Sequence, residues 1–283
     1  MFFEIARAIK EVQPSYVLLE NVKGLFSHDG GRTFGTIIQA LDELGYVTEW
    51  GLFNSKYWGV PQNRERVYIL ATRKDKYKEP LLFDLVKQQT EVTTRLIDVL
   101  EDEVDEKYYL DNEKSRKLIS HIVKENKITN RVVVDGTIND PKIKEVSNTI
   151  IARYDAGVSN QKSTGAMVIE PKIAIKEATK QGYAIAEQGD SVNYTYPTSK
   201  TRRGRVGKQV AQTLQAGEVN QGVVMNDIRI RKLSPLECWR LQSFTDEQFY
   251  KAKDSGVSNS QLYKQSGNSV TVNVVDAIVK QLN

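Results

Sequence analysis

One proline, Pro14, separates two incompatible periodicities at the start of the chain, and that junction constrains the fold more than any other feature. Before it, Phe2, Ile5, Ala6, Ile9 and Val12 recur at helical spacing. After it, Tyr16–Leu19 is an unbroken apolar run of the kind found in strands buried on both faces. A polar turn, His28 to Gly31, leads to a second amphipathic helix predicted from about Thr33. Its apolar face is Phe34, Ile37, Ile38, Leu41 and Leu44, and Gly45 stands at the C-terminal capping position. Strands are predicted at Tyr46–Phe53 and Arg66–Thr72. Helix, strand, helix, strand implies an α/β layer around a largely parallel sheet.

That grammar ends near residue 76. Residues 77–228 hold one clear helical pattern, about Asn112–Glu125, among short β-like runs separated by Gly, Asn and Asp. Two stretches resemble each other: Val146–Ala152, with Thr149-Ile150 inside it, and Val210–Ala216, with Thr213-Leu214. A duplicated β-hairpin and a chance likeness are both open readings. Residues 189–209 have no period and are predicted as a loop. Helical signals then return. Ser234-Pro-Leu-Glu237, Thr245-Asp-Glu-Gln248 and Ser258-Asn-Ser-Gln261 have the form of helix starts. Val270–Leu282 places Val272, Val275, Ile278, Val279 and Leu282 on one face. The predicted division is 1–76, 77–257 and a closing helix, 258–283, that returns to the first part.

Composition narrows the classes. With 283 residues, 40% hydrophobic and 27% charged, the chain is suited to one large or two moderate globular domains. No run approaches the roughly 20 apolar residues of a membrane span, and a cytosolic setting is the simplest expectation. One cysteine, Cys238, excludes an internal disulfide, and with only His28 and His121 beside it no metal site is expected. The net charge of +4 identifies no partner by itself. Its distribution is uneven: Lys200, Arg202, Arg203, Arg205 and Lys208 crowd one segment, and Glu101 to Glu106 is acidic. The basic cluster reads as a solvated loop unless other residues point to phosphates.

Two clusters carry candidate chemistry. Glu20 ends the first strand, where ligands gather in doubly wound sheets. Set against Leu18, Leu19 and Val22, its carboxyl would be partly desolvated, which favours holding a proton. Capping the next helix or pairing with an arginine is the competing reading. In Gly59-Val-Pro-Gln-Asn-Arg-Glu-Arg66, the side chains of Arg64 and Arg66 face one way on an extended backbone, and Glu65 faces the other. Two guanidiniums aimed at one place suit an anionic or bidentate partner; surface charges at a strand entrance are the alternative.

The order of these and other blocks resembles the DNA cytosine-5 methyltransferases. The blocks are Phe2 to Arg7, Glu20-Asn21-Val22, Gly59 to Arg66, Thr213-Leu214, Arg231 to Glu237 with Arg240-Leu-Gln242, and Gln265-Ser-Gly-Asn-Ser-Val270. The resemblance implies a partial doubly wound, Rossmann-like methyltransferase sheet with a second, irregular, mostly β target recognition domain. It implies that Glu20 contacts ring nitrogen 3 of a flipped-out cytosine, that Asn21 shapes the same pocket, and that Arg66 reaches the cytosine carbonyl with Arg64 in support. Asn268 and Ser269 would help close an S-adenosyl-L-methionine site. Thr213 and Leu214 would approach double-stranded DNA, with Thr149-Ile150 a rival for that role, and Arg202, Arg203, Arg205 and Lys208 would meet phosphates. A prokaryotic or phage setting is implied as well.

The family pattern also has parts that are not matched. None of the seven prolines precedes a cysteine, and no strand-Gly-x-Gly turn precedes the first helix. The nucleophilic cysteine and most of the cofactor site are therefore missing from these blocks, and Cys238, between Glu237 and Trp239, reads as a packed helix residue. The expectation is a C-terminal portion of a methyltransferase, inactive alone. A truncated gene product comes ahead of one subunit of a two-chain enzyme completed by an N-terminal chain. A non-catalytic, sequence-specific DNA-binding module is the alternative from a different class.

Overall fold

In a computed structural model, the described residues are 2–110, 113–125, 131–137, 141–150, 152, 158, 165–170, 172–187, 190–193, 201–202, 204–208, 221–223 and 229–282. In chain order the elements begin α1 (Phe2–Val12), β1 (Tyr16–Val22), α2 (Arg32–Glu43), β2 (Tyr46–Asn54), β3 (Gln62–Asn63), β4 (Glu65–Arg73) and α3 (Leu82–Lys87). The middle holds β5 (Tyr109–Leu110), α4 (Glu113–Glu125), β6 (Val132–Asp135), β7 (Ser147–Asn148), β8 (Ala166–Glu170), β9 (Lys172–Lys176) and β10 (Tyr183–Glu187). Then follow β11 (Ser191–Asn193), β12 (Val206–Gly207), β13 (Gln221–Val223), β14 (Arg229–Lys232), α5 (Pro235–Arg240), α6 (Asp246–Asp254), α7 (Asn259–Asn268) and α8 (Val272–Val279).

Two compact units result. Unit 1 is Met1–Leu100, Glu145–Tyr154 and Pro235–Asn283; unit 2 is Glu101–Lys144 and Asp155–Ser234. The boundaries differ from the predicted 76/77 and 257/258. Leu82, Leu85, Leu96 and Leu100 are buried and hold residues 77–100 to unit 1. Trp239, Phe249 and Leu262 share one apolar cluster, which binds α5, α6 and α7 together. Hydrophobic anchors therefore run past the point where helix–strand alternation stops.

Unit 1 is built on a three-stranded sheet in the order β1-β4-β2. The predicted helices and strands form, but the sheet is not parallel: β4 is antiparallel to both neighbours. The β1–α2–β2 crossover sets two strands running the same way, and the chain then turns back to fill the slot between them. Gly45 adopts φ 93° after α2, the left-handed conformation that a glycine tolerates best, and its amide donates to Asp42 O. Central β4 is buried from Val67 to Ala71. Alternation assigns Val67, Ile69 and Ala71 to one face, packed with Ile9, Ile37, Leu41 and Tyr46. Tyr68 and Leu70 take the other, with Phe53, Leu82, Leu85, Val274 and Ile278.

Unit 2 is mostly β, as expected. Its larger sheet has the order β5-β14-β8-β6, covered by Leu118 and Ile122 of α4. Residues 189–209 are not wholly loop: β11 pairs with β12 and β13. The Glu177 carboxylate accepts from the amides of Gly204, Arg205 and Val206, so polar capping organises a stretch that lacks hydrophobic period. The first of the two similar stretches is no hairpin among the described residues. β7 instead pairs in parallel with β3. The second stretch, Val210–Ala216, lies outside the described residues. No helix among the described residues is long and apolar enough to cross a membrane.

The last helix secures the sheet face that carries Tyr68. Ile278 is fully buried there, and Val279 is exposed. Ile278→Ala is expected to lower unfolding stability by about 2–5 kcal/mol, and Val279→Ala to change it by less than about 0.5 kcal/mol, measured by urea denaturation.

Candidate base-binding site

Glu20 stands two residues before the end of β1, and its register partner on β4 is Tyr68. Arg66 lies two residues before Tyr68, opposite Val22 and Phe53, so all these side chains belong to one face. The Arg66 Nε–Glu20 Oε1 separation is 3.0 Å, and Arg64 Nη2 lies 3.9 Å from the same oxygen. The acid and both arginines singled out by sequence therefore converge. The Arg66 contact is an ion pair by distance without the alignment of a hydrogen bond, and Glu20 Oε1 is buried with no hydrogen-bond partner. A buried carboxylate oxygen left in that condition is ready for a ligand donor.

Arg64 is 3% exposed. Its Nη2 donates to Ser269 O at 2.6 Å and its Nη1 to Gly267 O at 3.4 Å, while Nε is buried without a partner. Burial, then the nearby Arg66 charge, pulls the guanidinium down to about 10, and Glu20 offsets part of this. Arg66 Nη1 donates to Glu65 O at 2.8 Å. Glu65 faces away, as alternation predicts, and pairs with Lys23 at 3.0 Å.

Tyr68 was not singled out from sequence, although counting two residues on from Arg66 places it on the site's face. Its hydroxyl is pushed well above the usual phenol range, first by burial and then by Glu20, with Arg64 and Arg66 opposing. Asn21 does not share this face. It is exposed, and its Oδ1 accepts from the Val22 amide at 2.8 Å. The strand period turns it away from Glu20, contrary to the expected shared pocket.

Asn268 and Ser269 line an open pocket of ≈ 500 Å³ with Trp239, Phe244, Gln261, Lys264 and Gln265. A buried polar chain supports this region from below. Ser55 Oγ lies 2.8 Å from Thr271 Oγ1, Thr271 donates to Gln242 Oε1 at 3.1 Å, and Gln242 donates to Gln62 Oε1 at 3.2 Å. Cys238 is 0% exposed within α5, the packed position expected.

The basic segment is heterogeneous. Arg202 is exposed. Lys208 pairs with the buried carboxylate of Asp190 at 2.8 Å. Arg205 is 5% exposed and donates to the carbonyls of Asn193 and Lys176, so it stabilises the turn from inside rather than presenting charge. Arg203, Thr213 and Leu214 lie outside the described residues. Among the described residues, no cluster of His, Cys, Asp and Glu could hold a metal ion.

The Glu20–Arg66 contact has a measurable signature. In a double-mutant cycle of Glu20→Gln and Arg66→Gln, urea denaturation is expected to give a coupling free energy of about 0.5–3 kcal/mol. Additive effects would show that the two groups do not interact.

Comparison with known proteins shows the family and the fold. The family described as C-5 cytosine-specific DNA methylase matches residues 1–283. The orphan methyltransferase M.SPBetaI of Bacillus phage SPbeta is 37% identical over 320 residues, covering 100% of this chain and 69% of its own. The type II methyltransferase M.BanI of Aneurinibacillus aneurinilyticus is 29% identical, covering 100% of this chain and 74% of its own. Among solved structures, the S. pombe Dnmt2 methyltransferase matches with TM-score 0.55 at 18% identity, over 99% of this chain and 72% of that one. This last likeness establishes the methyltransferase fold, and the family match over every residue establishes the lineage. The chain belongs to the C-5 cytosine-specific DNA methylase family.

Proposed function

We propose that this chain grips a cytosine turned out of double-stranded DNA, within an enzyme that methylates carbon 5 of that base. The observation that carries the reading is the convergence of Glu20, Arg64 and Arg66 around a buried carboxylate oxygen that lacks a hydrogen bond. A carboxyl sharing a proton with ring nitrogen 3, and a guanidinium donating to the adjacent carbonyl oxygen, both draw electron density from the ring. Carbon 6 then accepts a nucleophile more readily. Arg66 is the donor suited to that role because its reach is toward Glu20, whereas Arg64 is engaged with the carbonyls of Gly267 and Ser269.

Addition to carbon 6 calls for a thiolate. The one cysteine in the sequence, Cys238, is enclosed in α5 and is no candidate. In this reading the thiolate comes from polypeptide outside these 283 residues, either an extension of the chain or a separate N-terminal methyltransferase chain. The cofactor implied by the family is S-adenosyl-L-methionine, which supplies the methyl group when bound. Asn268, Ser269, Lys264 and the rings of Trp239 and Phe244 suit one wall of its site, offering polar donors beside a flat apolar surface. They do not make a whole site.

Radiolabelled methyl transfer to unmethylated duplex DNA tests the proposal. Transfer is expected only when a family polypeptide bearing the Gly-rich turn and the Pro-Cys pair is supplied, and Glu20→Ala should reduce it by at least about 100-fold. The enclosed Cys238 favours a second reading, a DNA-recognition subunit or module without catalysis. In that case Glu20→Ala leaves DNA binding unchanged; a stand-alone module gains no transfer from any supplied chain, and a recognition subunit gains transfer that Glu20→Ala does not reduce.

Phosphate contacts are assigned to exposed cations rather than to the whole basic segment. Arg202→Ala is expected to lower the slope of log K against log salt by about 1. Arg205→Ala should instead loosen unit 2, read as a lower unfolding midpoint.

A further inference from the structure

The chain enters unit 1 once in the middle of unit 2, at Glu145–Tyr154, and the described part of that excursion is attached there by hydrogen bonds and a two-residue strand pairing. Glu145 O accepts from the Leu96 amide at 2.7 Å. The Ser147 amide donates to Pro61 O at 2.8 Å, and β7 lies in parallel register with β3, Ser147 beside Gln62 and Asn148 beside Asn63. The Thr149 hydroxyl donates to Asn63 O at 2.9 Å. Ser147 and Ile150 are both buried. This strap therefore holds two carbonyls of the segment that runs directly into Arg64 and Arg66. The Arg64 carbonyl is held separately, by the Ser55 amide at 3.1 Å.

Only two residues pair on each side, so the attachment is small enough to break and re-form while β4 from Val67 onward stays paired. Both ends of the strap continue into unit 2. We propose that the strap is a positioning element that couples unit 2 to the base-gripping arginines. Engagement of unit 2 by duplex DNA shifts the Thr149–Asn63 bond between made and unmade states, and that shift sets the Asn63–Arg66 backbone against Glu20. The proposal rests on the DNA reading above and adds a route between recognition and grip. Coupling of this kind needs an element whose two arrangements differ in how they meet the ligand-bound state, and the strap is a physical candidate for it.

The test is hydrogen exchange on the full 283-residue chain, as wild type, Thr149→Ser, Thr149→Val and Thr149→Ala. Each is measured alone and with unmethylated random-sequence duplex DNA at low salt, with DNA occupancy followed by fluorescence anisotropy. Without DNA, loss of the hydroxyl in Val and Ala is expected to speed exchange in residues 61–66 about five- to tenfold, with 67–72 unchanged and Ser close to wild type. With DNA bound, exchange in 61–66 should shift in wild type and Ser and not in Val or Ala.

Equal exchange in all four proteins overturns the proposal, and so does acceleration that extends through 67–72. DNA that binds without altering 61–66 in wild type overturns the coupling alone. DNA that fails to bind at low salt overturns the coupling together with the DNA reading.

Discussion

A buried guanidinium holds the site together. Arg64 reaches the Gly267 and Ser269 carbonyls on one side and lies near Glu20 on the other, so it ties the entrance of β4 to the turn that precedes α8. Burying a cation is costly unless hydrogen bonds and an opposite charge compensate. Two carbonyl acceptors and one carboxylate do so here, against burial and the repulsion of Arg66. Both ends of the sequence must therefore be folded before Arg64 is satisfied. The Glu20 corner and the Ser269 edge of the neighbouring pocket share this one side chain.

Polar ties recur wherever segments distant in sequence meet. Gln62, Gln242 and Thr271 are fully or almost fully buried and are linked in one hydrogen-bonded chain, joining two of the blocks that carry the family resemblance to the residue that follows a third. In unit 2, Arg231 and Glu170 form a wholly buried ion pair at 3.2 Å, and Arg131 and Tyr109 converge on the same carboxylate. Such groups add little net stability compared with an apolar core of the same volume. What they do is restrict register, since a buried amide or carboxylate tolerates few arrangements that satisfy it. Apolar clusters fold each unit, and polar links fix which loops face one another.

Legibility in the sequence followed the same division. The helices and strands of residues 2–73 were readable because a single period, 3.6 or 2, dominates each of them, and Gly45 marked a helix end. Strand direction was not readable: β4 occupies a slot left by a crossover, and local pattern is the same for parallel and antiparallel neighbours. The grouping of Glu20, Arg64 and Arg66 was partly legible, since two-residue spacing predicted the shared face of Arg66 and the opposite face of Glu65. The same rule, applied one step further, turns Asn21 away and Tyr68 inward. Arg205 shows the limit of reading charge: its interior place depends on Glu177 and the carbonyls of Asn193 and Lys176, all brought near by folding.

Under the proposed reading, the electrostatics of the corner favour a polar base over a simple anion or cation. Two guanidiniums face one carboxylate, and burial, then the Arg66 charge, pulls the Arg64 guanidinium down. Yet Glu20 keeps an oxygen without a hydrogen bond, and its register partner Tyr68, 2% exposed, stays a neutral phenol because burial pushes its hydroxyl up. A phosphate would answer the arginines and repel Glu20; an amine would do the reverse. A planar ring with an acceptor oxygen adjacent to a nitrogen that can share a proton satisfies both demands at once. Cytosine has that edge, with its carbonyl oxygen beside ring nitrogen 3, so in the proposed reading adjacent ring atoms answer the guanidinium and the carboxyl.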